Sequence, residues 1–234
     1  MTSPFAALRQ LVRAIVPIRL RGIPARARWL RTRPLSDSWG FDRGTPIDRY
    51  FIEGFLARHA DDIRGRVLEI KSDAYTVRFG RNVESRDVLD IDASNPGATI
   101  VGDLTDPAVM PTDRFDCVIV TQTLQLIYDV KAAIADVHRM LRAGGVVLVT
   151  VPSTSRIAPR DGQETDYWRF TPASCRRLFG DVFGVQNVTV EPLGNVGAGV
   201  AFLRGAALEE VPRAILEHND PDFPVIVAVR AVRR

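Results

Sequence analysis

The stretch that decides the fold is FDCVIVTQTLQLIYDVKAAIADVHRMLRAGGVVLVTVPS, residues 115–153. Phe115–Val120 is dominated by apolar, β-branched residues, the composition of a strand buried on both faces. A polar cluster follows at once, Thr121-Gln122-Thr123 and then Gln125. Val130–Leu141 carries its apolar residues at helical spacing. Arg142-Ala143-Gly144-Gly145 ends that helix, because glycine accepts the left-handed backbone on which helices commonly stop. Val146–Val151 is another buried strand. A polar group at the mouth of an apolar strand is the first place to look for a site, since in sheets of this kind ligands bind beyond the carboxyl ends of the strands.

Outward from this unit the pattern repeats. Toward the N-terminus, Ile47–His59 has a helical period, and short strands are expected at Arg66–Ile70, within Val83–Asp92 and at Thr99–Val101. Toward the C-terminus, Pro172–Phe179 is expected to be a helix, Val188–Glu191 a strand, Val200–Leu216 mostly helix, and Val225–Val232 the last strand. Strands alternating with helices predict an α/β fold with a mostly parallel sheet covered on both faces. Pro34–Pro46 is rich in turn-forming residues and reads as a linker. The expected organisation is therefore an arm and linker over residues 1–45 and one domain over 46–234.

A chain of 234 residues, 46% apolar and 25% charged, has the size and balance of a globular protein with one sizeable core. No apolar run reaches the length of a membrane span, and arginines scattered through the N-terminus do not resemble a signal peptide. Cys117 and Cys175 lie far apart with no metal spacing, which predicts a reducing, cytoplasmic setting. The net charge of +3 hides an asymmetry: residues 1–36 hold eight arginines and no acid, so the rest of the chain is −5. Apolar spacing at Leu8, Leu11, Val12, Ile15 and Val16 is helical. A basic amphipathic arm suits a peripheral membrane surface or an acidic partner. It equally suits a helix that packs on its own domain or on a second copy in a homodimer. No motif points to nucleic acid.

The residues after each strand narrow the chemistry. Glu69-Ile70-Lys71-Ser72-Asp73-Ala74-Tyr75-Thr76 follows the first strand with no glycine before Gly80, where a nucleotide-type loop normally needs glycines for close backbone approach. Asp90-Ile91-Asp92-Ala93-Ser94 follows the second. An acid there can accept both hydroxyls of a ribose, and Asp92 stands 23 residues after Glu69, near the ~20 expected of such units. It can also simply cap the turn into Asn95-Pro96-Gly97. Asp103 and Leu104 follow the third strand, suited to an adenine amino group and ring, or to a helix cap.

In this order VLEI, LDIDAS, VGDLTD, FDCVIVTQTLQLIYD and HRMLRAGGVVLVTVPS resemble the class I S-adenosylmethionine-dependent methyltransferases, over about Ile47–Arg230. The resemblance implies a Rossmann-like, doubly wound sheet of seven strands with the last antiparallel, an N-terminal helical arm and, here, a helical insertion between the last two strands. It implies S-adenosyl-L-methionine as cofactor. Glu69 matches the acid of the first motif, Asp92 with Ala93 the ribose-binding turn, Asp103 and Leu104 the adenine-contacting pair, and Thr121 and Gln122 the positions flanking the methionine part. Arg49 and Tyr50 stand where the family often meets the methionine carboxylate. Lys71 replaces the first glycine of the family's first motif. GTPIDRYFIEGFL and DYWRFTP further resemble a bacterial subgroup associated with polysaccharide and glycosyltransferase loci.

An antiparallel last strand begins at the edge where the others end. That gathers Asp166-Tyr167-Trp168-Arg169 after the fifth strand, Asn195 after the sixth, and His218 before the seventh. Tyr167, Trp168 and Asn195 suit a sugar-like polyol. His218 and Asp166 are the candidate bases for a hydroxyl acceptor, and the insertion, about Gly197–Leu216, is a candidate lid. Three scattered histidines make no metal site. The expected activity is methyl transfer to a hydroxyl of a sugar, glycoside or related small molecule. The alternative is an inactive methyltransferase-like scaffold in glycan assembly.

Overall fold

The computed structural model describes residues 32–158 and 160–234. The helical reading of the arm around residues 8–16 lies outside them. Seven strands form one sheet in the order β3-β2-β1-β4-β5-β7-β6. They are β1 Gly65–Ile70, β2 Val83–Asp90, β3 Ile100–Val101, β4 Phe115–Thr121, β5 Leu141–Pro152, β6 Val188–Leu193 and β7 Ile226–Val232. β1 pairs in parallel with β2 and β4, β2 with β3, and β4 with β5. β7 runs antiparallel between β5 and β6. The expected Rossmann-like α/β sheet with its reversed last strand is what the chain forms.

Among the described residues six α-helices accompany it: α1 Ile47–Arg58, α2 Ala74–Phe79, α3 Val130–Met140, α4 Pro172–Phe183, α5 Val196–Leu203 and α6 Arg213–Glu217. Alternation along β4 and β5 divides the core. Val118, Val120, Val147 and Val149 pack with Ile134 and Val137 of α3 and Phe179 and Phe183 of α4. Cys117, Ile119, Val146 and Leu148 face the other way, onto Phe51 and Phe55 of α1 and Phe202 of α5. Side chains two apart share a face, so one apolar strand serves both layers. Local signals set the helix starts. The Asp129 carboxylate accepts from the Ala132 amide at 3.0 Å at the head of α3. Thr171 and Ser174 cap α4 reciprocally, with Pro172 in its first turn.

Two expectations change. The segment read as a linker is built into the fold, and the compact unit begins at Leu35. The Leu35 amide donates to the Arg204 carbonyl at 2.7 Å, and the Leu208 amide to the Thr45 carbonyl at 2.7 Å. Pro46 bridges Ala207, and Ser36 is 5% exposed. Turn residues mark where a chain bends, not whether the bend is packed. The insertion is not one helix over Val200–Leu216: α5 begins at Val196, capped by the Asn195 side chain on the Ala198 amide at 2.9 Å, and ends at Leu203. Gly205 stops it, at φ +70 and so close to the strap formed by residues 35–46 that a Cβ there would lie 2.5 Å from the Ser36 carbonyl oxygen.

Candidate functional site

The loop after β1 is held by Glu69, which is 3% exposed. Its carboxylate accepts from the Tyr75 amide at 3.1 Å and from the Thr76 amide and hydroxyl, each at 2.8 Å. These donors belong to the first turn of α2, so one buried acid fixes both the loop and the helix start. Burial pushes the Glu69 carboxyl above its ordinary range, against the lowering effect of those hydrogen bonds. Lys71 adopts φ +71, the left-handed backbone a glycine would take there. Its amide donates to the Leu89 carbonyl at 2.8 Å, and its carbonyl accepts from Asn95 Nδ2 at 2.8 Å. The glycine is lost from the sequence while the turn it serves is kept, with an exposed lysine side chain added.

Lys71→Gly therefore tests whether that side chain hinders a ligand. Relief of left-handed strain, about 1 kcal/mol, opposes the greater freedom glycine gives the unfolded chain. The transition temperature is expected to stay nearly constant. Affinity for S-adenosylhomocysteine is expected to rise roughly fivefold, about 1 kcal/mol, measured by calorimetric titration. A loss of affinity would show that the Lys71 side chain itself holds the ligand.

β2 ends at Asp90, two residues before Asp92. Asp90 is 9% exposed, and its carboxylate accepts from the Asp92 amide and from Asn95 Nδ2 at 2.7 Å. Asp92 is exposed at the tip of this turn. Its carboxylate accepts from the Ser94 amide at 2.8 Å, and the Ser94 hydroxyl and amide draw the carboxyl below the usual range. Ala93 is exposed beside it. Asp103 is exposed and accepts from the Thr105 amide and hydroxyl at 2.8 Å. Leu104 is 5% exposed and packs in the core with Leu68 and Leu89. The two acids are thus free to meet a ligand from solvent, whereas Leu104 is committed to the interior.

Beyond the ends of β4 and β5 lies a cavity of about 310 Å³, within the size range of small-molecule sites. Trp39, Phe41 and Pro46 of the strap form one wall, and Asp48 and Arg49 of α1 the next. Gln122 and Gln125 come from the β4 end, Arg156, Asp166 and Arg169 from the segment after β5, and Phe202 from the insertion. Trp39 and Gln122 have φ +54 and +49. With Lys71 they are three of the five left-handed non-glycine residues among those described, and such strain concentrates where function fixes the backbone.

Asp48 is the member that sequence reading missed. It is 9% exposed, and its Oδ1 has no hydrogen-bond partner. Burial pushes its carboxyl above the ordinary range, and neighbouring Arg49 opposes this only in part. In the sequence it is an acid in the first turn of a helix, a common place for a dipole-favoured surface acid; only burial sets it apart. Arg49, named from the sequence, lines the cavity, and Tyr50 is half-buried behind it against Phe51.

The structure divides the other nominated residues. Asp166 and Gln122 line the cavity; Thr121 sits half-buried at the end of β4. Asp166 is bound by Arg169 at 2.5 and 2.9 Å and by the Ala158 amide at 2.8 Å, and the arginine draws its carboxyl down. A lowered pKa makes it a weak base. His218 is exposed and outside the cavity wall; its carbonyl accepts from Asn195 Nδ2 at 2.7 Å. Asn195, 5% exposed, is occupied as the α5 cap. Tyr167 and Trp168 are about half-exposed on the outer surface, joined by Tyr128 at 5.4 and 6.0 Å between ring centres. Among the described residues no three His, Cys, Asp or Glu side chains gather as a metal-binding group.

Comparison with known proteins gives the architecture a family context. Residues 53–149 match the family model described as a methyltransferase domain. No curated protein sequence matches the chain. A SAM-dependent methyltransferase from Archaeoglobus fulgidus is similar at 11% identity and a TM-score of 0.52, over 79% of this chain and 94% of that one. One from Mesorhizobium loti is similar at 16% identity and a TM-score of 0.51, over 76% and 95%. The complex between the Haloferax volcanii Trm112 methyltransferase activator and a methyltransferase contains a third, at 15% identity and 0.52, over 87% and 100%. At such identities the likeness is one of fold: this chain has the fold of the SAM-dependent methyltransferases.

Proposed function

We propose that the protein is an S-adenosylmethionine-dependent methyltransferase acting on a hydroxyl of a sugar, glycoside or related small molecule. The observation that carries this reading is the juxtaposition at one sheet edge of an exposed acid turn, an acid-pinned β1 loop in glycine-like conformation, and a partly open, largely apolar cavity into which a few polar side chains converge. The cofactor fits the chain's own polar groups: Asp92 offers an exposed carboxylate to a ribose, Asp103 an acceptor to a base, and Arg49 a cation to a carboxylate. When bound, S-adenosylmethionine supplies an electrophilic methyl group. The chain's residues do the rest. Gln122 and Gln125 present amides to an acceptor, and Gln125 Oε1 is buried without a partner. Asp48, unpartnered and raised in pKa, receives the hydroxyl proton. The aromatic surface of Tyr128, Tyr167 and Trp168 suits the apolar face of a longer glycan. This agrees with the resemblance of DYWRFTP to polysaccharide-associated relatives. Both cysteines are buried and free, consistent with the reducing cytoplasm expected for them. No helix among the described residues is long and apolar enough to cross a membrane, so the basic arm stays the candidate for peripheral membrane or homodimer contact.

Calorimetric titration with S-adenosylhomocysteine tests the reading. Measurable binding is expected, and Asp92→Ala is expected to weaken it at least tenfold, since a hydrogen bond to a charged group is worth on the order of 1.5–3 kcal/mol. The competing reading, an inactive scaffold in glycan assembly, draws on Lys71-Ser72-Asp73 in place of glycines. Absence of binding to the intact protein and to Lys71→Gly alike would favour it.

A further inference from the structure

We propose that the cavity holds its acceptor through an anionic group, a carboxylate or a phosphate, gripped by Arg156 and Arg169. The inference rests on the cavity being the acceptor pocket and adds the charge class of what enters it.

Arg156 is fixed before any ligand arrives. Its guanidinium lies 4.9 Å from the centre of the Trp39 ring, and its Nε donates to the Ile157 carbonyl at 3.1 Å. Stacking and one hydrogen bond set the plane of the fork, so little freedom is lost on binding. Its Nη1 is buried with no acceptor. Arg169 spends both terminal nitrogens on Asp166 and on the carbonyls of Trp168 and Arg156. Its Nε is also buried with no acceptor. A buried guanidinium N–H without a partner is costly, and native structures rarely leave one so. Among the described residues Arg114 and Arg204 also leave a buried Nε unpartnered; Arg156 and Arg169 differ in adjoining on one cavity wall, where a single acceptor from outside the chain would answer both.

Charge narrows the acceptor. Three guanidiniums line the cavity, those of Arg49, Arg156 and Arg169, against two carboxylates, Asp48 and Asp166. Asp166 is consumed by Arg169. Asp48, even when ionised, offsets only one of the two remaining guanidiniums. The wall therefore keeps a surplus of one positive charge, which a neutral polyol would leave uncompensated. An oxyanion answers both demands at once, because its oxygens accept from arginine in the charge-assisted geometry.

The test titrates the whole chain by calorimetry with glucuronate, glucose 6-phosphate and glucose, with S-adenosylhomocysteine titrated separately. At least one anionic sugar is expected to bind tenfold or more tightly than glucose, the better of the two identifying carboxylate or phosphate. Arg156→Gln is expected to bring that ratio within threefold without moving the thermal transition, and Arg156→Lys to leave it intermediate. Glucose binding as tightly as both anions, no binding by any of the three, or full discrimination in Arg156→Gln overturns the proposal. If Arg156→Gln does not fold, Arg156→Lys decides, and an unchanged ratio there overturns it. Anion discrimination without S-adenosylhomocysteine binding would remove the methyl-transfer reading and leave the anion site standing. The converse result would remove only the anion site.

Discussion

Asp48→Asn is expected to lower turnover on a verified hydroxyl acceptor by 10²–10⁴, the usual cost of a lost general base. Affinity for S-adenosylhomocysteine is expected to change by less than about threefold, because removal of a proton acceptor acts on the reaction and not on ground-state binding. The expectation comes from three facts about one side chain: it faces the cavity, its Oδ1 has no partner, and burial raises its pKa. A raised pKa strengthens a carboxylate as a base while leaving it ionised at neutral pH only above that value, so the wild-type rate should fall on the acid side at a pH above the ordinary aspartate range. The variant should lose that limb. Stability should move the opposite way. A carboxyl whose folded pKa is raised contributes stability below its unfolded pKa and loses it as pH rises through the folded value. At neutral pH, then, Asp48→Asn should melt higher than the wild type. Lower turnover with higher stability is the mark of an acid kept for chemistry. Asp166→Asn and His218→Ala belong in the same series: a deep loss of turnover in either, with Asp48→Asn active, would move the base to that residue.

The contrast between Asp48 and His218 shows what the sequence could carry. Strand and helix periods made the sheet legible, because buried strands are written as apolar runs and covering helices as 3.6-residue patterns. The reversed β7 and the gathering of strand ends at one edge came with the family resemblance, and the structure has them. Side-chain destiny at that edge was not legible. His218, Asn195 and Asp166 are all polar residues at the right edge, yet one faces solvent, one caps a helix and one is consumed by an arginine. Nothing in local composition distinguishes those fates. The strap failed for a related reason. Ser, Gly, Pro and Asp at 35–46 are written alike in a loose linker and in a turn pinned against Ala206 and Glu209, so Trp39 and Phe41 went unnoticed as cavity walls. Lys71 shows the reverse case, in which the residue departs from the family's glycine and the backbone keeps the left-handed conformation a glycine would take.

Glu69→Ala should cost the largest share of stability of any single change near the cofactor loop, about 3 kcal/mol, since it strands two amides and a hydroxyl that are buried or half-buried. Chemical denaturation would read this as a lower midpoint with an unchanged slope. S-adenosylhomocysteine binding should fail in parallel, because Glu69 supplies the side-chain bonds from the end of β1 to the first turn of α2. Glu69→Gln separates charge from anchoring. Its amide oxygen can still accept from the helix amides, so the loss should be smaller, about 1 kcal/mol. The pH dependence then fixes the sign. Burial raises the Glu69 pKa in the folded chain, so its ionisation costs folding free energy that the glutamine variant never incurs. The stability of the wild type relative to Glu69→Gln should therefore be greatest below the unfolded glutamate pKa and fall as pH rises through the folded value. A gap that instead widens toward neutral pH would mean that the hydrogen bonds outweigh desolvation at this site, and that the ionised carboxylate itself holds the loop.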